Sequence, residues 1–237
     1  MKKYLFWLLA STALLLSPVL HAQTQITCED IAPAGVDPAY YIGLGDAYFG
    51  QRDYTNAIIA YTCALEADPE YTPAYVNRGF AYAAQGDETG ALADYNRALE
   101  LDEAATAAYA NRGILYTTQG NFSLALLDFD LAIALNPDDA VSYNNRAVVH
   151  AAEGNYDLAL ADVQQAIALD RAYAAPHATL GAIYSAMAVS SYADYLNIAG
   201  ENSRVPIGDP DTAINQIADS VQGGTFAVWL PLQTPAR

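Results

Sequence analysis

The chain has 237 residues, 53% of them hydrophobic, with 27 acids against 10 lysines and arginines and a formal net charge of −17. That is material for one or two ordinary domains. The acid excess excludes nucleic acid as a partner, because phosphate contacts need clustered Lys and Arg, and it disfavours a bare anionic membrane surface.

The first segment reads as an address. Lys2 and Lys3 precede an apolar run from Tyr4 to Leu16, followed by Ser17, Pro18 and Ala22. Charge, apolar run and small residue in that order are a secretory signal peptide over residues 1–22, and they place the protein outside the cytoplasm: secreted, periplasmic or on the outer side of the cell envelope. An uncleaved N-terminal anchor is the alternative, although the run falls short of the about 20 apolar residues a spanning helix needs. No later stretch is long enough to cross a membrane. Lys2 and Lys3 are the only lysines, so arginine is the only strong base beyond them. A leader over residues 23–37 carries Cys28, and the other cysteine is Cys63. An even pair in an exported chain points to a disulfide, with two free thiols as the alternative.

From Tyr41 onward the chain repeats itself. Tyr41, Tyr75, Tyr109, Tyr143 and His177 are spaced by 34 residues. Further columns keep that spacing: small residues at Gly45, Gly79, Gly113, Ala147 and Gly181; alanine at Ala57, Ala91, Ala125, Ala159 and Ala193; a large side chain at Tyr61, Tyr95, Phe129 and Val163. Each unit holds two helix-period stretches separated by a break such as Gln85-Gly86-Asp87 or Gln119-Gly120-Asn121. Glycine suits the end of the first helix, and Asp or Asn the start of the second. The small column is expected to face the alanine column, letting the two helices approach closely. Asp68-Pro69 and Asn136-Pro137 are expected to end the second helices, since proline cannot continue one.

Period, columns and punctuation resemble the tetratricopeptide repeat family. The resemblance implies an all-α fold, a right-handed α-solenoid over residues 38–199. Four full repeats start near residues 38, 72, 106 and 140, and a degenerate fifth unit over 174–199 caps the stack. It also implies that the first helix of each pair lines a concave groove. Thr89 and its neighbours lack the aromatic that Tyr54, Phe122 and Tyr156 supply elsewhere, and the fifth unit has no glycine turn after Met187.

Charge enters the repeat in two matched columns. Arg78, Arg112 and Arg146 stand where the first and fifth units have Leu44 and Leu180. Asp94, Asp128 and Asp162 stand where those units have Ala60 and Leu196. Pairing within a repeat accounts for every case, so Arg78–Asp94, Arg112–Asp128 and Arg146–Asp162 are expected as structural ion pairs. Three arginines reaching for an acidic ligand is the other reading.

On the implied groove face lie Asn77, Asn111 and Asn145, then Phe80, Ile114 and Val148, then Phe49 and Thr117. A side-chain amide both donates and accepts, as a peptide backbone does, so an asparagine ladder beside apolar positions suits a protein or peptide ligand. The alternative is that these asparagines only cap or solvate their helices. The Lys and Arg clamp with which some family members hold a carboxylate is missing. No nucleophile motif, phosphate loop or metal-spaced cluster occurs. His150 and His177 fall in columns that tyrosine fills elsewhere, where packing is expected. No catalysis, cofactor or metal is expected.

Residues 200–237 leave the repeat. Asp209-Pro210-Asp211 reads as a helix start, Gly223-Gly224 as its stop, and "TFAVWLPL" from Thr225 to Leu232 as an apolar strand-like end. This tail is expected to cover the last repeat, to enter a groove, or to dock on a partner, self-association included. The expected function is an exported, non-catalytic protein- or peptide-binding scaffold. The alternative is a self-associating structural component of a cell-envelope assembly.

Overall fold

The computed structural model describes residues 27–31 and 35–199. The signal segment 1–22 and the tail 200–237, with Phe226, Val228, Trp229 and Leu230, lie outside the described residues. A short helix α1 (Cys28–Ile31) precedes nine longer ones: α2 (Pro38–Gly50), α3 (Tyr54–Ala67), α4 (Thr72–Gln85), α5 (Glu88–Leu101), α6 (Thr106–Thr118), α7 (Phe122–Leu135), α8 (Ala140–Ala152), α9 (Tyr156–Leu169) and α10 (Ala174–Ala199). Among the described residues there is no strand. None of the described helices is long and apolar enough to cross a membrane.

The helix ends follow from local chemistry. Asp37, Asp53, Asp87 and Asp139 each accept a hydrogen bond from a backbone N–H in the first turn of the next helix, at 2.8, 3.2, 3.0 and 3.0 Å, satisfying a donor that has no partner inside the helix. Between the helices of each pair the chain turns through the left-handed region at Gly86 (φ 92°), Gly120 (φ 73°) and Gly154 (φ 80°). The first repeat makes the same turn with Arg52 at φ 63°, a conformation that costs an ordinary side chain about 1–2 kcal/mol. The second helices end without needing proline. Asp68, Asp102 and Asp170 each accept from the backbone N–H two residues on, all at 2.9 Å, and Asn136 does so at 3.3 Å. Asp102 and Asp170 have no proline behind them and turn the same way, so the Asx turn is the common cause.

The helices pack as consecutive pairs, α2 with α3, α4 with α5, α6 with α7 and α8 with α9, and each pair stacks on the next. The first helices also touch along the stack, α2 to α4, α4 to α6, α6 to α8 and α8 to α10, whereas the second helices do not touch one another. The first helices are therefore the crowded inner wall of a solenoid and the second helices its spread outer wall, the right-handed α-solenoid of the tetratricopeptide repeat.

The small column faces the second helix of its pair, meeting its rings most closely and, at Gly79, the alanine column too, where a Cβ would come within 3.2 Å of the Ala91 carbonyl oxygen. A Cβ at Gly79 would lie 2.8 Å from Tyr95 Cε1, and one at Gly113 would lie 2.8 Å from Phe129 Cε1. Where Ala147 replaces glycine, the facing residue is Val163, a smaller side chain. The pair is matched in size within each repeat, as close-packed interiors require.

The fifth unit is one uninterrupted helix, not a helix pair. Nothing between Ala174 and Ala199 breaks α10, which packs on α8 and α9. Ile183 is buried there, in the cluster with Ala147, Ala151, Ala159 and Val163. At the other end Cys28 and Cys63 form a disulfide that holds α1 against α3.

Candidate functional site

The arginines of α4, α6 and α8 form a ladder through the middle of the solenoid. Arg78 donates from Nε and Nη2 to both carboxylate oxygens of Asp94 at 2.8 Å. Arg112 meets Asp128 in the same way at 2.8 Å, and Arg146 meets Asp162 at 2.7 Å. Each guanidinium has a third arm. Nη1 reaches back to the outer helix of the preceding repeat: to Thr62 at 3.1 Å, to Asn96 at 2.5 Å and to Asp130 at 2.6 Å. Arg78 also lies 5.6 and 5.9 Å from the ring centres of Tyr75 and Tyr82, and Arg112 lies 5.7 and 5.9 Å from Tyr109 and Tyr116, within cation–π range. In the fourth repeat Tyr143 is 5.6 Å from Arg146, and His150 holds the second tyrosine's place with Nε2 3.9 Å from Asp162. His177 is exposed.

The aspartates raise these cations above their ordinary values. For Arg112 and Arg146 the hydrogen bond to Asp128 or Asp162 is the larger influence. For Arg78 burial pulls down hardest, and the bond and charge of Asp94 outweigh it. With every fork occupied, these arginines have little left to offer an acidic ligand.

The inner wall is built from the remaining face of the same helices. Phe49 stacks on Phe80 with ring centres 4.8 Å apart, and Tyr54 adds a third ring 5.2 Å from Phe49. Asn77 Nδ2 donates across the stack to Asp46 on α2 at 3.3 Å, and the Tyr61 hydroxyl donates to the same oxygen at 2.8 Å. One repeat on, Asp46's place is taken by Phe80, and after that by Ile114 and Val148. None of these three can accept a hydrogen bond through its side chain. Asn77 Oδ1 and both amide atoms of Asn145 are buried with no hydrogen-bond partner among the described residues, as are both amide atoms of the adjacent Asn144. The columns of Asn77 and of Asp46 hold one charged group between them, Asp46.

Exposure differs from what an open ladder suggests. Asn77, Asn145 and Phe80 are buried, Asn111 is 8% exposed, and Ile114, Val148, Phe49 and Thr117 are half-buried. Successive first helices touch one another along the same stretch of the stack. The Thr117 and Thr118 hydroxyls are spent on their own helix, on Gly113 O at 2.8 Å and Leu115 O at 2.7 Å. Among the described residues no cluster of His, Cys, Asp and Glu is placed to hold a metal ion.

The third-arm column Thr62, Asn96 and Asp130 was open to the same 34-residue reading, since all three are polar and stand 21 residues after their tyrosine. Asn144 had no such signal, because its column is otherwise Ile42, Val76, Ala110 and Ala178.

Comparison with known proteins agrees with this architecture. Tetratricopeptide repeat models match at residues 38–71, at 72–104 and 106–139, and at 129–161, together more than half of the chain. No curated protein sequence matches. Among solved structures, a crystal structure of MamA protein superimposes with a TM-score of 0.54 at 20% identity, covering 81% of this chain and 97% of that one. A second crystal structure of MamA gives 0.53 at 21% identity, covering 76% and 94%. At that identity the likeness is one of fold. The stacked helix pairs, the glycine-under-ring packing and the matched repeats together show that this chain belongs to the tetratricopeptide repeat family.

Proposed function

We propose that the chain is a non-catalytic scaffold that holds an extended protein or peptide segment along its inner wall, and that it works outside the cytoplasm. The observation that carries the binding reading is Asn145. Leaving a buried polar group unpartnered costs about 1–3 kcal/mol, and here both atoms of the amide are in that position. A ligand backbone supplies a donor and an acceptor at once, so its docking beside Asn145 and Asn111 removes that penalty. Ile114, Val148, Phe49 and Phe80 beside the ladder suit apolar ligand side chains. The near absence of charge on this wall disfavours a ligand recognised by its acids. Because Asn77 and Asn145 are buried, the inner helices must part slightly to admit the segment, a motion solenoids make by small rotations between repeats. The disulfide and the lysine-led apolar start support an oxidising compartment.

The test is selection of peptides from a displayed random library against the full chain, followed by Asn111→Ala and Asn145→Ala. The expected result is apolar, uncharged binders whose affinity falls at least about tenfold with helix content unchanged. Binders that ignore both substitutions would place recognition elsewhere.

A further inference from the structure

The outer helices do not touch one another, so each turns a face outward on the convex side. On α7 that face is leucine. Leu124, Leu127, Leu131 and Leu135 are 46, 56, 37 and 44% exposed, and steps of three, four and four put them on one stripe of the helix. Leu158, one repeat on from Leu124, extends the patch to α9 and is 53% exposed.

The stripe is peculiar to the third repeat. In the columns of Leu127 and Leu131 stand Ala93 and Arg97 on α5, and Ala161 and Gln165 on α9. On α3 the same columns hold Ile59 and Cys63, and there the face is covered. Helix α1 packs on α3, with Ile31, Val36 and Ile59 gathered about Cys63 and Ala64. The molecule thus shows how an apolar outer face of this solenoid is closed: by a short helical segment laid on it. Among the described residues nothing lies on the matching face of α7.

Both ends of the stripe open into recesses. An open cleft of about 810 Å³ between α5 and α7 is walled by Leu99, Tyr109, Leu131 and Leu135, with Glu100 and Glu103 also lining it. A smaller recess of about 340 Å³ at the start of α7 is lined by Phe122, Leu124 and Glu153. The cations nearby are engaged, Arg112 by Asp128 and Asn96, and Arg97 by Glu100 at 2.9 Å. The rims are therefore acidic. A second copy brings the same sign of charge, and so would a segment like α1 with Glu29 and Asp30.

We propose that the outer face of α7 is a second docking surface, taking a short amphipathic helix of a partner protein with leucine-like side chains on one face and Lys or Arg towards its ends. Leu124 to Leu135 spans roughly 16 Å, about three helical turns, which sets the length of the partner segment. Apolar contact fills the stripe, and the basic ends meet Glu103 and Glu153.

The test uses the full chain and two synthetic peptides of about four turns, with leucine at helical three-four spacing and either Lys or Glu elsewhere. Fluorescence anisotropy is expected to show the Leu/Lys peptide binding at least about tenfold tighter than the Leu/Glu peptide, and Leu127→Ser with Leu131→Ser to weaken it by about tenfold. Both positions are exposed, and far-UV circular dichroism checks that the variant folds. Leu/Lys binding that survives the double substitution would be attraction to acid alone and overturns the proposal. A dimer in sedimentation that the same substitutions abolish gives the face to a second copy, which also overturns it. Tighter peptide binding in Trp229→Ser gives the face to residues 225–232 of the chain itself, with the same consequence.

Discussion

Replacing Arg112 or Asp128 with alanine perturbs the best-buried rung of the arginine ladder. The Asp128 side chain is 2% exposed and that of Arg112 is 18%. Arg112→Ala leaves a carboxylate with almost no access to water, so its cost falls high in the range for breaking a buried pair, about 4 kcal/mol. Asp128→Ala leaves a guanidinium that still holds Asn96 and reaches some solvent, so about 3 kcal/mol is expected. The double variant removes both charges together and should lose about 4 kcal/mol, a coupling of about 3 kcal/mol. Arg97 and Glu100, 46% and 65% exposed, are the control, and solvent screening should leave their coupling far smaller than that of the buried rung. The assay is urea unfolding of the four proteins of each cycle, followed by circular dichroism. Additive losses for Arg112 and Asp128, or a coupling no larger than that of the exposed pair, would refute the argument that burial sets the strength of the rung.

Three further outcomes follow from the packing. Gly113→Ala should destabilise by about 1–3 kcal/mol through overpacking against Phe129, and Phe129→Val in the same chain should relieve that clash, as Val163 does for Ala147; urea unfolding that shows no coupling between the two counts against the size match. Reducing Cys28–Cys63, 35 residues apart, should cost about 3–4 kcal/mol and speed hydrogen exchange in α2 and α3, whereas unchanged melting under reductant would show α1 held by packing alone. Burial raises Tyr61 and Tyr95 above the ordinary tyrosine value, and with help from Asp139 pushes Tyr173 up to about 12. Unfolded tyrosines lose their protons near pH 10, before these folded ones. Their contribution is therefore complete below pH about 10 and is lost as pH rises towards 12, and flat urea midpoints across that interval would contradict it.

Most of the architecture could be read from the 34-residue columns, because each column records one recurrent contact. Arg78 and Asp94 appear and vanish together along the chain, and that coincidence carries the pairing without any coordinates. What the columns could not carry is direction and closure. Gly79 meets the Tyr95 ring as well as the Ala91 backbone of α5, since spacing says that two columns belong together but not which pair of atoms meets. An asparagine ladder in the sequence suits an open face, yet Asn145 is buried, and burial depends on how closely successive repeats stack, which spacing does not record. Leu127 and Leu131 belong to a run that is apolar on nearly every side. Only the structure shows that α1 covers their counterparts Ile59 and Cys63, while among the described residues nothing covers the matching face of α7. The fifth unit lost its glycine, which was visible; that α10 then runs straight through instead of folding back is the helix continuing where nothing stops it.

The central claim is that the inner wall holds the ligand backbone through the asparagine ladder. The most direct measurement is a two-dimensional nitrogen–proton spectrum of the full chain titrated with a peptide selected as above, following the side-chain amides. The account predicts that the Asn111 and Asn145 amide signals move with the peptide, together with backbone signals of α6 and α8. Shifts confined to α5, α7 and α9, with the asparagine amides unmoved at saturation, would contradict it.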